Sequence, residues 1–300
     1  MFQQPAVWFF ALFSLQTFSH ILRAVRWKYL IDPVKNNISI HNAFSSLMIG
    51  FMINGIIPRA GELVRSYVLG KKENIAASTL VSTVILERIL DVISFASVLF
   101  IVAVLNAESI IIWFPSLPGA KWYLYAIAST FLGVFILLFL KSSIIFSFVK
   151  RISTVFPASS KITIDRILDS FLKGFQAGTH EKNYLALAVL TVSIWSTYIF
   201  LLYLPFRLFG MNDLTLSTAA TLQVSNGIAS AMPTPNGIGS YHSFIALTLT
   251  RVFRVNESLA IAYVVYTHAI AYLCTLLIGS AYLLKENIHI TELMKAKGEK

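Results

Sequence analysis

Long apolar runs, interrupted at a few points by glycine, proline and charge, organise the chain. A helix needs about 20 apolar residues to cross a bilayer core. Runs at 5–22, 76–105, 122–140, 183–206 and 258–284 meet that need. Two further runs, 43–57 and 215–231, are shorter and lead into proline and glycine. The first passes into Asn54-Gly55-Ile56-Ile57-Pro58-Arg59-Ala60-Gly61. The second passes through Asn226-Gly227-Ile228 into Pro233-Thr234-Pro235-Asn236-Gly237-Ile238-Gly239. Each is followed by another moderately apolar stretch, which predicts helical hairpins over 43–70 and 215–250. Asn54, Pro58 and Gly61 are the expected turn residues of the first, and Asn226, Pro233 and Pro235 of the second. Proline ends a helical ladder and glycine permits a sharp reversal. The expected fold is all-α: a polytopic membrane bundle in one domain over 1–284, with a polar tail over 285–300. Segment 158–178 alternates apolar and charged positions as an amphipathic helix does, either at the membrane surface or under the bundle.

Composition agrees with this reading. Hydrophobic residues make up 56% of the chain and charged residues 13%, against roughly a quarter charged in a soluble domain. A soluble fold of this size cannot hide so much apolar surface. The single cysteine, Cys274, excludes an internal disulfide and a multi-cysteine metal site. No His/Cys/Asp spacing reads as a metal centre, and no motif calls for a cofactor. The net charge of +10 fits loops facing anionic lipid rather than nucleic acid. Met1–Gln4 carry no basic residue and no cleavage site follows, so the first run is not expected to be a secretory signal.

Charge placement also selects a topology. With both hairpins re-entering the face they came from, 19 of the 24 basic residues lie on one side, four on the other, and Arg88 within a span. Full crossings would instead put the basic segment 141–182 outside, against the positive-inside rule. The re-entrant scheme counts Arg23 and Arg26 as cytoplasmic loop cations and leaves the C-terminus in the cytoplasm. Its two hairpins enter from opposite faces, as in inverted-repeat transporters. Two ordinary kinked helices are the simpler alternative.

Three polar clusters carry the candidate chemistry. Leu86-Glu87-Arg88-Ile89-Leu90-Asp91 lies inside the 76–105 run, with Glu87 ~16 Å from its start, near mid-bilayer. Glu87, Arg88 and Asp91 share one helical arc. They leave about one net negative charge, which Arg59 or Arg65 is expected to balance. The cluster is either an ion-pair staple, a substrate path, or both. In Arg59-Ala60-Gly61-Glu62-Leu63-Val64-Arg65, the two guanidiniums can clamp a phosphate or simply snorkel to the interface. Glu62 falls in the first turn of the returning helix, where a carboxylate is favourable. The third cluster, Pro233 to His242, is uncharged. Asn236, Gly237 and Gly239 can offer backbone N–H groups to an anion, and His242 can bond a head group or act as a structural donor.

PRAGELVR, then ERILD some twenty residues on, then PTPNGIGSYH resemble the lysylphosphatidylglycerol synthase transmembrane family. That family includes the flippase half of bacterial multiple-peptide-resistance proteins. The matching positions are Pro58, Arg59, Gly61, Glu62, Arg65, Glu87, Arg88, Asp91, Pro233, Pro235, Gly237 and Gly239. This chain departs at Asn236-Gly237, where members often have Gly-Gly, and at His242, where they often have Glu. The resemblance implies that it starts at their second helix and lacks the soluble aminoacyl-transfer domain. It implies a multi-pass protein of the bacterial inner membrane that binds or moves a lipid and is not an enzyme. The expected partner is an anionic phospholipid or a polyprenyl-linked lipid, and an envelope-pathway enzyme is a further candidate. The alternatives are a membrane-embedded transferase acting on lipid head groups, or an accessory subunit of a glycolipid pathway. The expected substrate site comprises Arg59, Glu62, Arg65, Glu87, Arg88, Asp91, Asn236, Gly237, Gly239 and His242.

Overall fold

The computed structural model describes residues 5–106 and 184–286, with a few isolated helical positions between 122 and 133. Most of the expected 122–140 span, segment 158–178, the basic segment 141–182 and the tail beyond 286 lie outside the described residues. Those described are helical, with no strand among them. The helices are α1 (Pro5–Ile31), α2 (Ile40–Asn54), α3 (Gly61–Glu73), α4 (Ala77–Leu105), α5 (Tyr184–Leu208), α6 (Leu216–Ser230), α7 (Ser240–Leu247) and α8 (Glu257–Lys285). Among them α4, α5 and α8 are long and apolar enough to cross a membrane. Their outward faces carry exposed Ile101, Val104, Val189, Val192, Ile261 and Leu277, as expected where lipid rather than water is the neighbour.

The short helices pair as two hairpins. Chain reversal between α2 and α3 follows from local chemistry. Asn54 closes α2, and its side-chain Oδ1 accepts the Gly61 N–H (2.7 Å), the first orphan donor of α3. Arg59 sits in the left-handed region, φ 63°. The helices then run antiparallel in close contact at glycine. A Cβ on Gly61 would collide with the Gly50 carbonyl, and one on Gly50 would lie 2.6 Å from the Gly61 carbonyl. Such small-residue contacts hold membrane helices, where apolar side chains gain little from leaving lipid. Gly279 does the same for α8, where a Cβ would meet Met48 O at 2.7 Å.

In the second hairpin one expectation fails. Asn226 and Gly227 do not form the turn; they lie inside α6, and the reversal begins at Ala231. The glycine serves packing instead, since a Cβ at Gly227 would strike the Phe95 ring of α4. The turn proper uses Pro233 and Pro235 as expected, with Asn236, Gly237 and Gly239 all at positive φ. Asn54 and Asn226 therefore occupy unlike places.

Both tips pack near the middle of α8. Gly55 approaches the Tyr272 ring, 3.3 Å from its would-be Cβ. One helical turn away, His268 Nε2 bonds the Asn236 carbonyl (3.1 Å). The other end of the first hairpin meets the end of α8, where Lys72 pairs with Glu286 and His41 packs on Tyr282. There Glu73 gathers the loose ends. Its carboxylate accepts from Lys35 (3.1 Å), Asn42 (2.7 Å) and the Ser39 backbone (3.4 Å).

Two predictions follow from this packing. Gly61→Ala should lower stability by about 1–3 kcal/mol, the cost of overpacking, read as a drop in melting temperature and folded yield. The second concerns acid. Burial pushes the Glu73 carboxyl up, but bonds from Asn42, Lys35 and Ser39 outweigh it and hold it below the usual carboxylate value. Its stabilisation is complete above the unfolded value of about 4.3, and is lost as pH falls through the lower folded value. Glu73→Gln should cost about 1.5–3 kcal/mol at neutral pH and flatten the acid limb of the melting profile. Parallel profiles for variant and wild type would show that Glu73 contributes nothing.

Candidate functional site

Glu87 lies near the middle of α4 and is completely buried. An isolated carboxylate there would be costly, so it must be matched by cations. Four guanidiniums converge on it. Arg23 of α1 donates to Oε1 (2.7 Å), Arg65 of α3 to Oε2 (2.9 Å) and Arg88 to Oε1 (3.2 Å), while Arg26 stands 3.5 Å away. Asp91, one turn on, takes Arg26 at 2.6 Å and Arg88 at 3.5 Å. Arg88 also reaches Glu62 of the first hairpin at 3.3 Å. Trp27, fully buried, anchors the layer by donating to Thr83 (3.0 Å) while Arg65 lies over its ring (4.7 Å).

Counting charges changes the sequence-based picture. Arg23, Arg26, Arg65 and Arg88 face Glu62, Glu87 and Asp91, so the network carries one excess positive charge, where the expected trio of Glu87, Arg88 and Asp91 balanced by one arginine would be neutral. Arg65 supplies a balancing cation as expected; Arg59 does not. Arg59 instead spans the gap between the tips and donates to the Ala231 carbonyl at 2.7 Å. Arg23 and Arg26 were expected as loop cations, but α1 continues past Leu22 to Ile31 and carries both inside the bundle. Arg65 does not snorkel either, being 1% exposed.

Between the tips and this network lies a cavity of about 900 Å³. Of the residues expected at the site, Arg59, Glu62, Arg88, Asp91, Asn236 and Gly237 line it. Arg65 and Glu87 stand behind its wall, and Gly239 and His242 are not on its surface. His242 packs at a tilt against His268, 4.6 Å between ring centroids, and its Nδ1 accepts the Gly239 N–H (3.4 Å). Asn54, Asn226 and Pro233 of the expected turns line the cavity as well; Pro58, Gly61 and Pro235 do not. Sequence reasoning missed Arg23, His20 and Trp195, which also line it. The available signal was the apolar run of α1 continuing on both sides of Arg23 and Arg26 to Trp27 and beyond. Among the described residues no group of His, Cys, Asp and Glu could hold a metal ion.

Apolar spans, paired short helices and a charged layer beside an amphipathic cavity define an all-helical integral membrane protein. Residues 2–279 match the family described as Lysylphosphatidylglycerol synthase TM region, and the chain belongs to that family. It is similar to a UPF0104 membrane protein of Methanocaldococcus jannaschii, 30% identical over 253 residues, 83% of this chain and 99% of the relative. A second UPF0104 membrane protein of that organism is 25% identical over 305 residues, covering 96% and 86% of the two chains. One from Methanothermobacter thermautotrophicus is 27% identical over 241 residues, 73% and 68%. No solved structure matches the chain.

The network makes Glu87 the most sensitive position. Glu87→Gln leaves four guanidiniums with only Asp91 and Glu62 to balance them, and breaking a buried pair costs about 3–5 kcal/mol. Folded yield in detergent should collapse. Asp91→Asn, at a carboxylate 20% exposed, should be milder. Equal yields for the two variants would contradict the central place given to Glu87.

Proposed function

We propose that the chain binds a phospholipid or lipid-linked precursor by its anionic head group and carries it across the membrane, without chemical conversion. The observation that carries this reading is the cavity of about 900 Å³ whose charged wall has one cation more than it has carboxylates. An unbalanced cation at that depth attracts an anion, and guanidiniums match phosphate oxygens in shape and charge. The acyl chains would stay in the bilayer while the head group occupies the cavity.

In this reading both short hairpins are re-entrant. Support comes from α8: the open end of the first hairpin meets its C-terminal end at Lys72–Glu286, while the tip reaches Tyr272 at its middle. The second hairpin's tip reaches His268 one turn away. Hairpins from opposite faces meeting at the midplane are the architecture of alternating-access transporters. The open end of the first hairpin, the basic loops and the C-terminus then face the cytoplasm, the open end of the second hairpin faces the outer side, and the protein resides in the cytoplasmic membrane.

Two measurements test this. In vesicles, a fluorescent anionic phospholipid should be translocated by the wild type and at least ~10-fold more slowly by Arg88→Gln. Arg88 is 39% exposed, and Glu87 keeps three other guanidiniums without it, so that variant should fold. Undiminished translocation in Arg88→Gln would contradict the proposal. Single cysteines at Lys71 and Asn212 should label from the cytoplasmic and the outer side respectively; labelling of both from one side would overturn the re-entrant topology.

A further inference from the structure

The cavity has two chemically different ends. Every charged residue on its surface belongs to α1, the first hairpin or α4: Arg23, Arg59, Glu62, Arg88 and Asp91. The surface supplied by α5 to α8 and the second tip carries no Asp, Glu, Lys or Arg. It offers amides and rings instead, among them Gln223, Asn226, Asn236, Tyr241, His268 and Tyr272. Asn226 Nδ2 donates to Gln223 Oε1 (3.4 Å). Among the described residues no side chain bonds the other half of either amide, and both face the cavity with a donor and an acceptor to spare. Tyr241, His268 and Tyr272 form a ladder of rings, with centroids 5.3 and 6.3 Å apart.

An ammonium group would find no free carboxylate here. The two carboxylates on the cavity surface, Glu62 and Asp91, both already face Arg88, at 3.3 and 3.5 Å. Unpaired donors are available at the junction of the two ends. Among the described residues Trp195 Nε1 and His20 Nδ1 have no bonding partner, and these residues are 9% and 4% exposed. Trp195 can only donate, so it calls for an acceptor.

Resting on the head-group reading above, we propose that the ligand is a phosphate joined to a neutral, hydroxyl-rich group, a polyol or a sugar, rather than an amine-bearing head group. Its phosphate lies toward Arg23 and Arg88. Its hydroxyls exchange hydrogen bonds with the amides of Gln223, Asn226 and Asn236. The C–H faces of a ring or polyol rest on the aromatic ladder. Hydroxyls both donate and accept, as side-chain amides do, and that reciprocity is what this wall provides.

Binding of four lipids with matched acyl chains, titrated onto the purified protein and read by native mass spectrometry, tests this. Phosphatidylinositol or phosphatidylglycerol should bind roughly tenfold more tightly than phosphatidic acid, the worth of one or two neutral hydrogen bonds. Phosphatidylethanolamine should bind most weakly. A preference for inositol marks a ring-shaped group and one for glycerol a short polyol; both uphold the proposal. Asn226→Ala and Asn236→Gly should each bring the polyol-to-phosphatidic-acid ratio toward one. Asn236 sits at φ 47°, a conformation glycine adopts without strain, so that variant should fold. Phosphatidic acid binding as tightly as both polyol lipids, phosphatidylethanolamine matching them, or an unchanged ratio in both variants would overturn the proposal. Loss of all lipid binding, phosphatidic acid included, would instead overturn the underlying head-group site.

Discussion

One buried carboxylate organises the fold. Glu87 sits within a helix that has the length and hydropathy of a membrane span, where a lone charge is costly. It is tolerable only because α1 and α3 bring guanidiniums to it while α4 supplies Arg88. That demand fixes where three helices lie relative to one another. It also fixes the depth of the first hairpin, since Arg65 must reach Glu87 and Glu62 must reach Arg88. The aromatic layer follows: Trp27 is pinned to Thr83 beneath Arg65, and Arg23 lies 4.7 Å from the Phe51 ring centroid.

The hairpin tips are the other half of the arrangement. Helices that stop inside a membrane leave N–H and C=O groups without partners, and these need protein or a polar cavity around them. In the proposed re-entrant arrangement the tips answer part of one another's need. Arg59 bonds the Ala231 carbonyl across the gap, and α8 supplies His268 for the Asn236 carbonyl. The remaining polar groups open on the cavity. Charge on one wall and amides on the other then arise from which helices face the cavity.

Much of this could be read from the sequence. Pro58, Gly61, Pro233 and Pro235 mark reversals because their backbone chemistry is local, and Glu62 falls in the first turn of α3 as its position implies. The interior place of Glu87 followed from its distance into an apolar run. What escaped notice depends on contacts distant in sequence. Arg23 and Arg26 looked like interfacial cations because they follow the apolar stretch of α1, and only their partners on α4 show that they turn inward. Asn226-Gly227 looked like a turn because Asn54-Gly55 is one. In the structure that glycine lies inside α6 and makes room for the Phe95 ring. Without Arg23 and Arg26, the charged cluster looked balanced by a single arginine, and its excess cation was not legible.

The central claim is that the excess cation of this network holds an anionic head group inside the bundle. A photo-reactive amino acid replacing Tyr198, on the cavity wall, in membranes of mixed anionic and neutral lipid tests it most directly. The account predicts a cross-linked adduct dominated by anionic lipid, and loss of that selectivity when Arg88→Gln is added. An adduct that mirrors the bulk lipid composition, or no lipid adduct at all, would contradict it.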